Sequence, residues 1–403
     1  MLSLLWGVQV YWGRRFVRLL KSRHEPAPDL KLPRALIVIC LRGADPFLQK
    51  TLRALLNQTH TDFRLRLIID SPSDAAWAIV NPLLEETDDP RLETQILTKR
   101  LATCGLKNSA VLQATTDLED EDEIIIQVDA DAVPYPNWLR DMLLPFADPR
   151  VGATSGLRWY APTEENWGSV VRHYWGCSAM VQMEQFGMVW GGSMAFRREL
   201  FETTDLRYRW AHAFVDDLIV SNAVESARLE VRHVPVVLLN QESINLQDCF
   251  QFIRRQSIGV RLGHHSWLQV SCFAAISGLA TSVNTFGMVT AAIGGDLLTS
   301  VIAFAGAAVY AIGFRSLMSR LDREIRHVVR QQGESVPLRK DYPFNKMLFT
   351  LIVYVSCWLS SALVRSVVWR GIRYEFGPGK SIRRLNDTPY LPQTAELAEA
   401  SLI

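Results

Sequence analysis

The chain has 403 residues, enough for one catalytic domain of roughly 200 to 250 residues and a further region of about 150. Its 43 basic and 42 acidic residues give a formal net charge of +1. The chain therefore lacks the excess of basic residues that is typical of nucleic-acid-binding proteins. The six cysteines are scattered, without a Cys-x-x-Cys pair or a Cys/His set at zinc-ligand spacing. This pattern favours a reduced, cytosolic catalytic domain.

The N-terminal residues 1–21 are apolar and aromatic, but Gln9 and the Arg14–Arg15 pair interrupt them. The uncharged stretch is shorter than the about 20 residues that a membrane crossing requires, so we expect an interfacial amphipathic helix. A signal peptide is disfavoured because the positive charges follow the apolar run. The proline-rich residues 25–34 are typical of a linker. We therefore assign residues 1–33 to an N-terminal helix and linker.

Residues 34–266 are predicted to form the catalytic domain, because strand-like and helical runs alternate along them. The run ALIVICL at 35–41 is continuously apolar, as expected of a strand buried on both faces of a parallel sheet. The alternation predicts an α/β domain with a mostly parallel sheet. The predicted strands cover 35–41, 63–71, 93–98 and 123–131, and the predicted helices cover 45–59, 74–86 and 107–117.

Three uncharged segments follow, at 268–295, 297–314 and 347–364, each close to the length of one membrane crossing. Buried core helices are the alternative. Arginines between the second and third segments predict a cytosolic loop. Three crossings would then place the basic tail outside, against the same rule, so one segment is expected to be re-entrant or interfacial. We assign 267–375 to membrane-embedded helices with a basic cytosolic loop, and 376–403 to a C-terminal tail.

Acidic residues occur where predicted strands end, which is where open α/β sheets bind ligands. Asp70 ends the second strand, and Asp129 and Asp131 end the fourth. We expect one of the last two carboxylates to face a nucleotide's sugar and the other to face Mg²⁺ or Mn²⁺. A lone Asp-x-Asp is also typical of a solvated turn.

Two later features add a base and a cationic group. Asp217, after Asp216, could remove the proton from an acceptor hydroxyl, although adjacent acids also favour a helix N-terminus. Arg254 and Arg255 could clamp a diphosphate, although basic residues beside a membrane segment also contact anionic lipid.

In their order along the chain, these residues resemble the motifs of the family 2 glycosyltransferases, closest to the ceramide glucosyltransferase-like and hopanoid glycosyltransferase-like branch. Asp70, Asp129-Ala-Asp131, Asp217 and Gln251-Phe-Ile-Arg254-Arg255 resemble the D, DxD, ED and QxxRW series. Residues 105–108, 191–198 and 369–374 resemble the G-x-K-N, G-x-S-x-A-F-R-R and W-R-G-x-R-Y segments. The resemblance covers residues 34–375. It departs from the family pattern at Arg255, where the series has Trp, and at Asp216, where the series usually has Glu.

The resemblance implies a nucleotide-diphosphosugar transferase fold of the GT-A type and a role for each matching residue. Asp217 would be the base of an inverting displacement, and Asp131 would hold Mg²⁺ or Mn²⁺. The implied nucleotide-sugar ligands are Asp70, Lys107, Asp129, Gln251, Arg254 and Arg255. We expect the acceptor near Trp190, Gly191 and Gly192.

These features predict a hexosyltransferase that uses UDP-glucose and a membrane-lipid hydroxyl, such as that of ceramide, diacylglycerol or a hopanoid. The protein is expected to be integral to the membrane, with its catalytic domain in the cytosol. The acceptor would enter between this domain and the apolar helices. A polysaccharide synthase and a non-catalytic scaffold that retains the fold are the alternatives. The sequence leaves open the sugar, the lipid and the oligomeric state.

Overall fold

The computed structural model describes residues 2–22, 31–164, 166–336 and 343–387. Most of the predicted linker and the last part of the predicted tail lie outside these ranges. The helices are α1 Leu2–Lys21, α2 Leu48–Leu56, α3 Trp77–Thr87, α4 Leu106–Ala114, α5 Trp138–Leu143, α6 Trp167–Phe186, α7 Leu200–Thr203, α8 Leu206–Trp210, α9 Asp217–Ser226, α10 Leu246–Gly263, α11 Trp267–Ile293, α12 Leu297–Gln331 and α13 Phe344–Leu363. The strands are β1 Ala35–Leu41, β2 Phe63–Ile69, β3 Leu92–Ile96, β4 Ile124–Val128, β5 Val151–Tyr160, β6 Ser193–Arg197, β7 Glu230–Asn240, β8 Ser366–Trp369, β9 Ile372–Phe376 and β10 Ile382–Arg384.

Seven strands form the central sheet in the order β3-β2-β1-β4-β6-β5-β7. β1 is parallel to β2 and β4, and β2 to β3, while β6 runs antiparallel to both of its neighbours. The predicted α/β domain with a mostly parallel sheet is confirmed. Since β5 and β7 are parallel to each other, the carboxyl ends of β1, β2, β4, β5 and β7 share one edge with the start of β6.

The Asp129-Ala130-Asp131 segment differs from the expected strand end. β4 ends at Val128, and a turn follows in which the Ala132 amide donates to the Asp129 carbonyl oxygen at 3.1 Å. The expectation that the strand continues to Asp131 is therefore wrong. A turn brings both carboxylates to the same edge of the sheet.

Helices α11, α12 and α13 are each long and apolar enough to cross a membrane. The basic segment Arg315–Arg330, expected to be a loop, is instead the second half of α12. Its apolar residues Met318, Leu321, Ile325 and Val329 recur at helical spacing and pack in a buried cluster with residues of β5 and β7. This packing keeps the segment helical and holds the end of α12 against the catalytic domain. The number of charged residues in the segment gives no indication of it.

The N-terminal helix α1 runs beside α12 in the same direction. Gln9 donates to the Tyr310 hydroxyl at 2.9 Å near one end, and Lys21 pairs with Glu324 at 3.2 Å near the other. Phe16 is buried in the cluster that holds the second half of α12. Residues 2–21 thus form the expected helix, and the interfacial position of α1 stays a prediction.

Both ends of α13 contact the catalytic domain. Near its start, the rings of Phe349 and Trp167 lie 4.9 Å apart. At its end, the Arg261 guanidinium donates to the carbonyl oxygens of Ala362 and Val364 at 2.9 Å. A helix of 20 residues, roughly 30 Å long, therefore begins and ends at the same face of that domain. From this arrangement we predict that α13 lies along the membrane surface while α11 and α12 cross it as a hairpin, which would remove the conflict with the basic tail.

We expect cysteine labelling to report two crossings and an in-plane α13. In a Cys272→Ser background, Ser335→Cys and Ser381→Cys should react with a membrane-impermeant maleimide from the same side of sealed vesicles. Asp296→Cys, in the turn between α11 and α12, should react only from the opposite side. Labelling after permeabilisation is the control for accessibility. Reaction of Ser381→Cys from the Asp296 side would contradict the in-plane position of α13.

Candidate active site

One cavity of about 1020 Å³ lies at the carboxyl edge of the sheet and continues between the apolar helices. It gathers most of the residues that the sequence singled out from distant parts of the chain. Its lining includes Asp70, Lys107, Asp129, Asp131, Trp190, Gly191, Gly192, Asp217 and Arg255, whereas Gln251 and Arg254 lie outside it.

The Lys107 ammonium group lies at the centre of this site. It donates to the Asp129 carboxylate at 3.0 Å and to the Gly191 carbonyl oxygen at 3.2 Å, and it lies 3.3 Å from the Asp216 carboxylate. Although burial opposes the charged form, the carboxylates of Asp129 and Asp216 raise the pKa of Lys107 above its usual value. Two of the three donors of the ammonium group are thus used in hydrogen bonds, and its contact with Asp216 is an ion pair.

Asp216 and Asp217 are adjacent but lie in different surroundings. Asp216 faces Lys107, whereas Asp217 accepts a hydrogen bond from the Gly191 amide at 3.0 Å. Burial, and after it the Asp216 charge, raises the pKa of Asp217 to about 7. A carboxyl group with such a pKa exchanges a proton near neutral pH. Burial raises the pKa of Asp216 as well, so the two carboxyl groups differ mainly in their partners: Asp216 faces the Lys107 ammonium group, whereas Asp217 accepts a backbone hydrogen bond.

The carboxylates of Asp129 and Asp131 share one cationic neighbour, Arg158 near the end of β5. The Arg158 guanidinium contacts Asp131 and lies 4.0 Å from Asp129. Asn240, the last residue of β7, donates to Asp131 at 3.3 Å. Although burial raises it, the charges of Lys107 and Arg158 hold the pKa of Asp129 below its usual value. Two ionised carboxylates at one guanidinium make a site that favours a cation.

A divalent ion would find few protein ligands at this site. In the described ranges, no group of three or more His, Cys, Asp or Glu side chains is arranged to hold a metal. Mg²⁺ and Mn²⁺ commonly take one or two carboxylates and complete their shells with phosphate oxygens and water. Asp131 and Asp129 can supply the one or two carboxylates that this mode of binding needs. They are too few for a site in which the protein supplies every ligand.

Asp70 is buried between two arginines. Arg42 contacts one of its carboxylate oxygens, and Arg100 lies 2.8 Å from the other. The β8–β9 hairpin, which follows α13, reaches the same corner of the site. Arg370 in its turn donates to the Asp45 carboxylate at 2.8 Å and to the Arg42 carbonyl oxygen at 2.6 Å. Residues from the two ends of the chain therefore close this side of the cavity.

Arg255 is the cationic residue of helix α10 that lines the cavity. Its guanidinium lies 4.8 Å from the centre of the Trp369 ring and 5.5 Å from that of Phe252. Burial and the charge of Arg370 lower the pKa of Arg255 to about 10. In the described parts of the chain, no carboxylate pairs with it. Gln251 and Arg254 instead contact each other, and neither lines the cavity.

The loop before β6 forms the floor between the acidic groups. A methyl group added at Gly192 would lie 2.2 Å from an atom of the Trp190 ring and 2.7 Å from a carboxylate oxygen of Asp129. Trp190 in turn lies 5.5 Å from the Arg158 guanidinium. Only a residue without a side chain allows the ring and the carboxylate to approach so closely.

Comparisons with known proteins agree with this geometry. The family model described as glycosyl transferase family 2 matches residues 36–205, somewhat less than half of the chain. These residues form a glycosyltransferase domain. No curated protein sequence gave a significant match.

The similarity of this glycosyltransferase to solved structures extends beyond that domain. A mannosyltransferase from Pyrobaculum calidifontis, in complex with GDP-Man and Mn²⁺, has a TM-score of 0.57 at 17% identity. The match covers 90% of this chain and 96% of that one, so it includes helices after the catalytic domain. GalNAc-T7 with UDP, GalNAc and Mn²⁺ matches less well, with a TM-score of 0.40 at 14% identity over 59% of this chain and 53% of that one. The first likeness establishes a GT-A type fold followed by C-terminal helices.

The sequence did not identify three arginines of the active site, Arg42, Arg158 and Arg370, as functional residues. Arg158 lies near the end of an otherwise uncharged strand, VGATSGLRWY, and a lone charge at that position was a signal. Arg370 belongs to the W-R-G-x-R-Y segment, but nothing in that segment indicated contact with Asp45. Arg42 follows β1 directly, and its pairing with Asp70 depends on the parallel register of β1 and β2.

We expect Gly192→Ala to disturb the glycosyltransferase site without unfolding the domain. Displacement of Trp190 or Asp129 by the new methyl group should cost about 1–3 kcal/mol of stability and weaken nucleotide-sugar binding. Thermal unfolding and calorimetric titration would measure the two effects. Gly7→Ala in α1 is the matched control, because its methyl group would meet nothing within 4 Å. Unchanged nucleotide affinity in Gly192→Ala would contradict the role of this close approach.

Proposed function

We propose that this glycosyltransferase transfers a hexose, with UDP-glucose as the donor, to the hydroxyl group of a membrane lipid such as ceramide, diacylglycerol or a hopanoid. The reaction is an inverting displacement on the cytosolic side of the membrane. The observation that carries the proposal is the single cavity that joins the acidic site to the space between apolar helices.

Asp217 is the base in this proposal. It removes the proton of the acceptor hydroxyl as the oxygen attacks the anomeric carbon from the face opposite the departing diphosphate. The different partners of Asp216 and Asp217 support this assignment, because paired carboxylates with different environments can take different roles. Lys107 neutralises Asp216 and positions Asp129, so we assign it a positioning role next to the donor.

The donor would lie between Asp70 and the turn at Asp129, with its diphosphate towards Arg255. A buried guanidinium without a carboxylate partner is suited to a diphosphate, to which it can donate two parallel hydrogen bonds. Asp131 and Asp129 would hold Mg²⁺ or Mn²⁺, which when bound neutralises charge on the leaving diphosphate. The roles predicted for Gln251 and Arg254 are the least supported, because neither lines the cavity.

The pH dependence of transfer tests the base. Because the pKa of Asp217 is about 7, the ionised fraction of its carboxyl group rises as the pH rises through 7. The initial rate of lipid glycosylation should increase about tenfold per pH unit below 7 and level off above it. Asp217→Asn should lower the rate by about 10²- to 10⁴-fold and remove this dependence.

The assay uses detergent-purified protein, labelled UDP-glucose, Mg²⁺ or Mn²⁺, and a panel of lipid acceptors. Asp120→Asn is the matched control, since the Asp120 side chain is fully exposed and distant from the site. If Asp217→Asn leaves the rate of lipid glycosylation unchanged, Asp217 is not the base. Absence of any product from a folded protein, with every donor and acceptor, would favour the scaffold.

We further expect Arg158 to compete with a divalent cation for Asp131. Arg158→Gln removes the positive charge beside Asp129 and Asp131, so the affinity for Mn²⁺ without nucleotide should rise by at least about tenfold. Titration of free Mn²⁺ by electron paramagnetic resonance measures this directly. Arg158→Lys keeps the charge and should change the affinity little. Equal affinities in the wild type and Arg158→Gln would show that Arg158 does not oppose the cation.

A further inference from the structure

A tight turn at the end of β8 brings one arginine to the cavity. Trp369 and Ile372 pair across the two-residue turn Arg370–Gly371, and both residues of the turn have positive φ, 45° and 76°. Positive φ at both central residues is typical of the type I′ turn, in which Asn-Gly is a favoured sequence. Glycine adopts this conformation freely, whereas arginine adopts it with strain. Strained residues cluster at ligand-binding and active sites, which points to a function for the Arg370 side chain.

The β8–β9 hairpin has other contacts that hold it on the catalytic domain. Ile372 and Tyr374 are buried in the cluster that also contains Phe214. The Arg42 guanidinium donates to the Arg370 carbonyl oxygen at 3.1 Å, and any residue at position 370 would keep that carbonyl group. Anchoring of the hairpin therefore does not by itself explain why an arginine occupies the strained position.

The Arg370 guanidinium binds a carboxylate at the edge of the cavity. It donates to both oxygens of Asp45, at 2.8 and 2.9 Å, and both residues line the cavity. The side chains of Arg370 and Asp45 are 38% and 20% exposed, so this ion pair is accessible to a ligand. Phosphate oxygens accept charge-assisted hydrogen bonds from a guanidinium just as carboxylate oxygens do. Asp45 thus occupies a position that a phosphate group of a ligand would also favour.

A second guanidinium, that of Arg255, lines the same cavity. It lies 4.8 Å from the centre of the ring of Trp369, the residue that precedes Arg370. Burial and, after it, the charge of Arg370 lower the pKa of Arg255 to about 10. Two like charges in one partly enclosed cavity oppose each other, and a ligand with several negative charges relieves that repulsion. The two arginines are therefore suited to bind one diphosphate together.

We propose that Arg370 is a further residue of the donor site, and that it leaves Asp45 when a nucleotide sugar binds and holds the donor's diphosphate together with Arg255. This inference rests on the proposed function for the presence of a diphosphate at this edge of the sheet. Asp45 is then a competitor, because its carboxylate must release Arg370 before the diphosphate can bind it. A purely structural ion pair makes the opposite prediction, since loss of either partner would then loosen the site and weaken binding.

Calorimetric titration of the full-length, detergent-purified protein with UDP and with GDP separates the two roles. Arg370→Asn removes the guanidinium and supplies the Asn-Gly sequence that the turn favours, so the hairpin should stay folded. We expect it to weaken binding of the nucleotide diphosphate at least about tenfold. Asp45→Asn removes the competitor and should strengthen binding about two- to fivefold. In the double variant this gain should disappear, because it depends on Arg370.

Arg373→Gln is the matched control, since Arg373 is an exposed arginine of the same hairpin that does not line the cavity. Its distant charge is screened by salt, so the affinity should stay within about twofold of the wild type. Thermal unfolding checks that each variant is folded. Weaker or unchanged binding in Asp45→Asn, or unchanged binding in Arg370→Asn, would overturn the role of Arg370 and leave the proposed function standing. A wild type that binds neither UDP nor GDP would overturn both.

Discussion

The ion pairs of the partly buried Lys107 ammonium group are the interactions on which the site depends most. This group joins the turn after β4, the start of α9 and the loop before β6, three segments that are far apart in sequence. Burial raises the pKa of both Asp216 and Asp217, and the Lys107 charge opposes that rise. Lys107 therefore links the geometry of the cavity to the charge of its carboxyl groups.

A second constraint comes from the C-terminal hairpin. After α13, β8 and β9 return to the catalytic domain, where Arg370 binds Asp45 and the Tyr374 hydroxyl accepts a hydrogen bond from the Leu106 amide at 3.2 Å. Leu106 begins the helix that carries Lys107. The segment that follows the apolar helices therefore contacts the catalytic site directly.

Local patterns in the sequence were sufficient for much of the fold. The continuous apolar run of β1 predicted a strand buried on both faces, and the order of acidic motifs predicted which residues would meet at the sheet edge. The sequence was misleading where a distant contact decides the outcome. Arg315–Arg330 looked like a basic loop, yet Ile325 and Val329 pack on the catalytic domain and keep it helical. Arg255 and Arg254 are indistinguishable by composition, and only the rotation of α10 against the cavity separates them.

The position of α13 links the membrane arrangement to the chemistry. Helices α6, α10 and α13 pack together, and α6 and α10 both contribute residues to the cavity, including Met180 and Arg255. If α13 crossed the bilayer, the β8–β9 hairpin could not reach Asp45 and Arg42 from the other side. The predicted in-plane α13 would keep the hairpin at the site. Under the proposed function, the membrane surface would then lie beside the carboxyl edge of the sheet, where a lipid hydroxyl would approach Asp217 without leaving its leaflet.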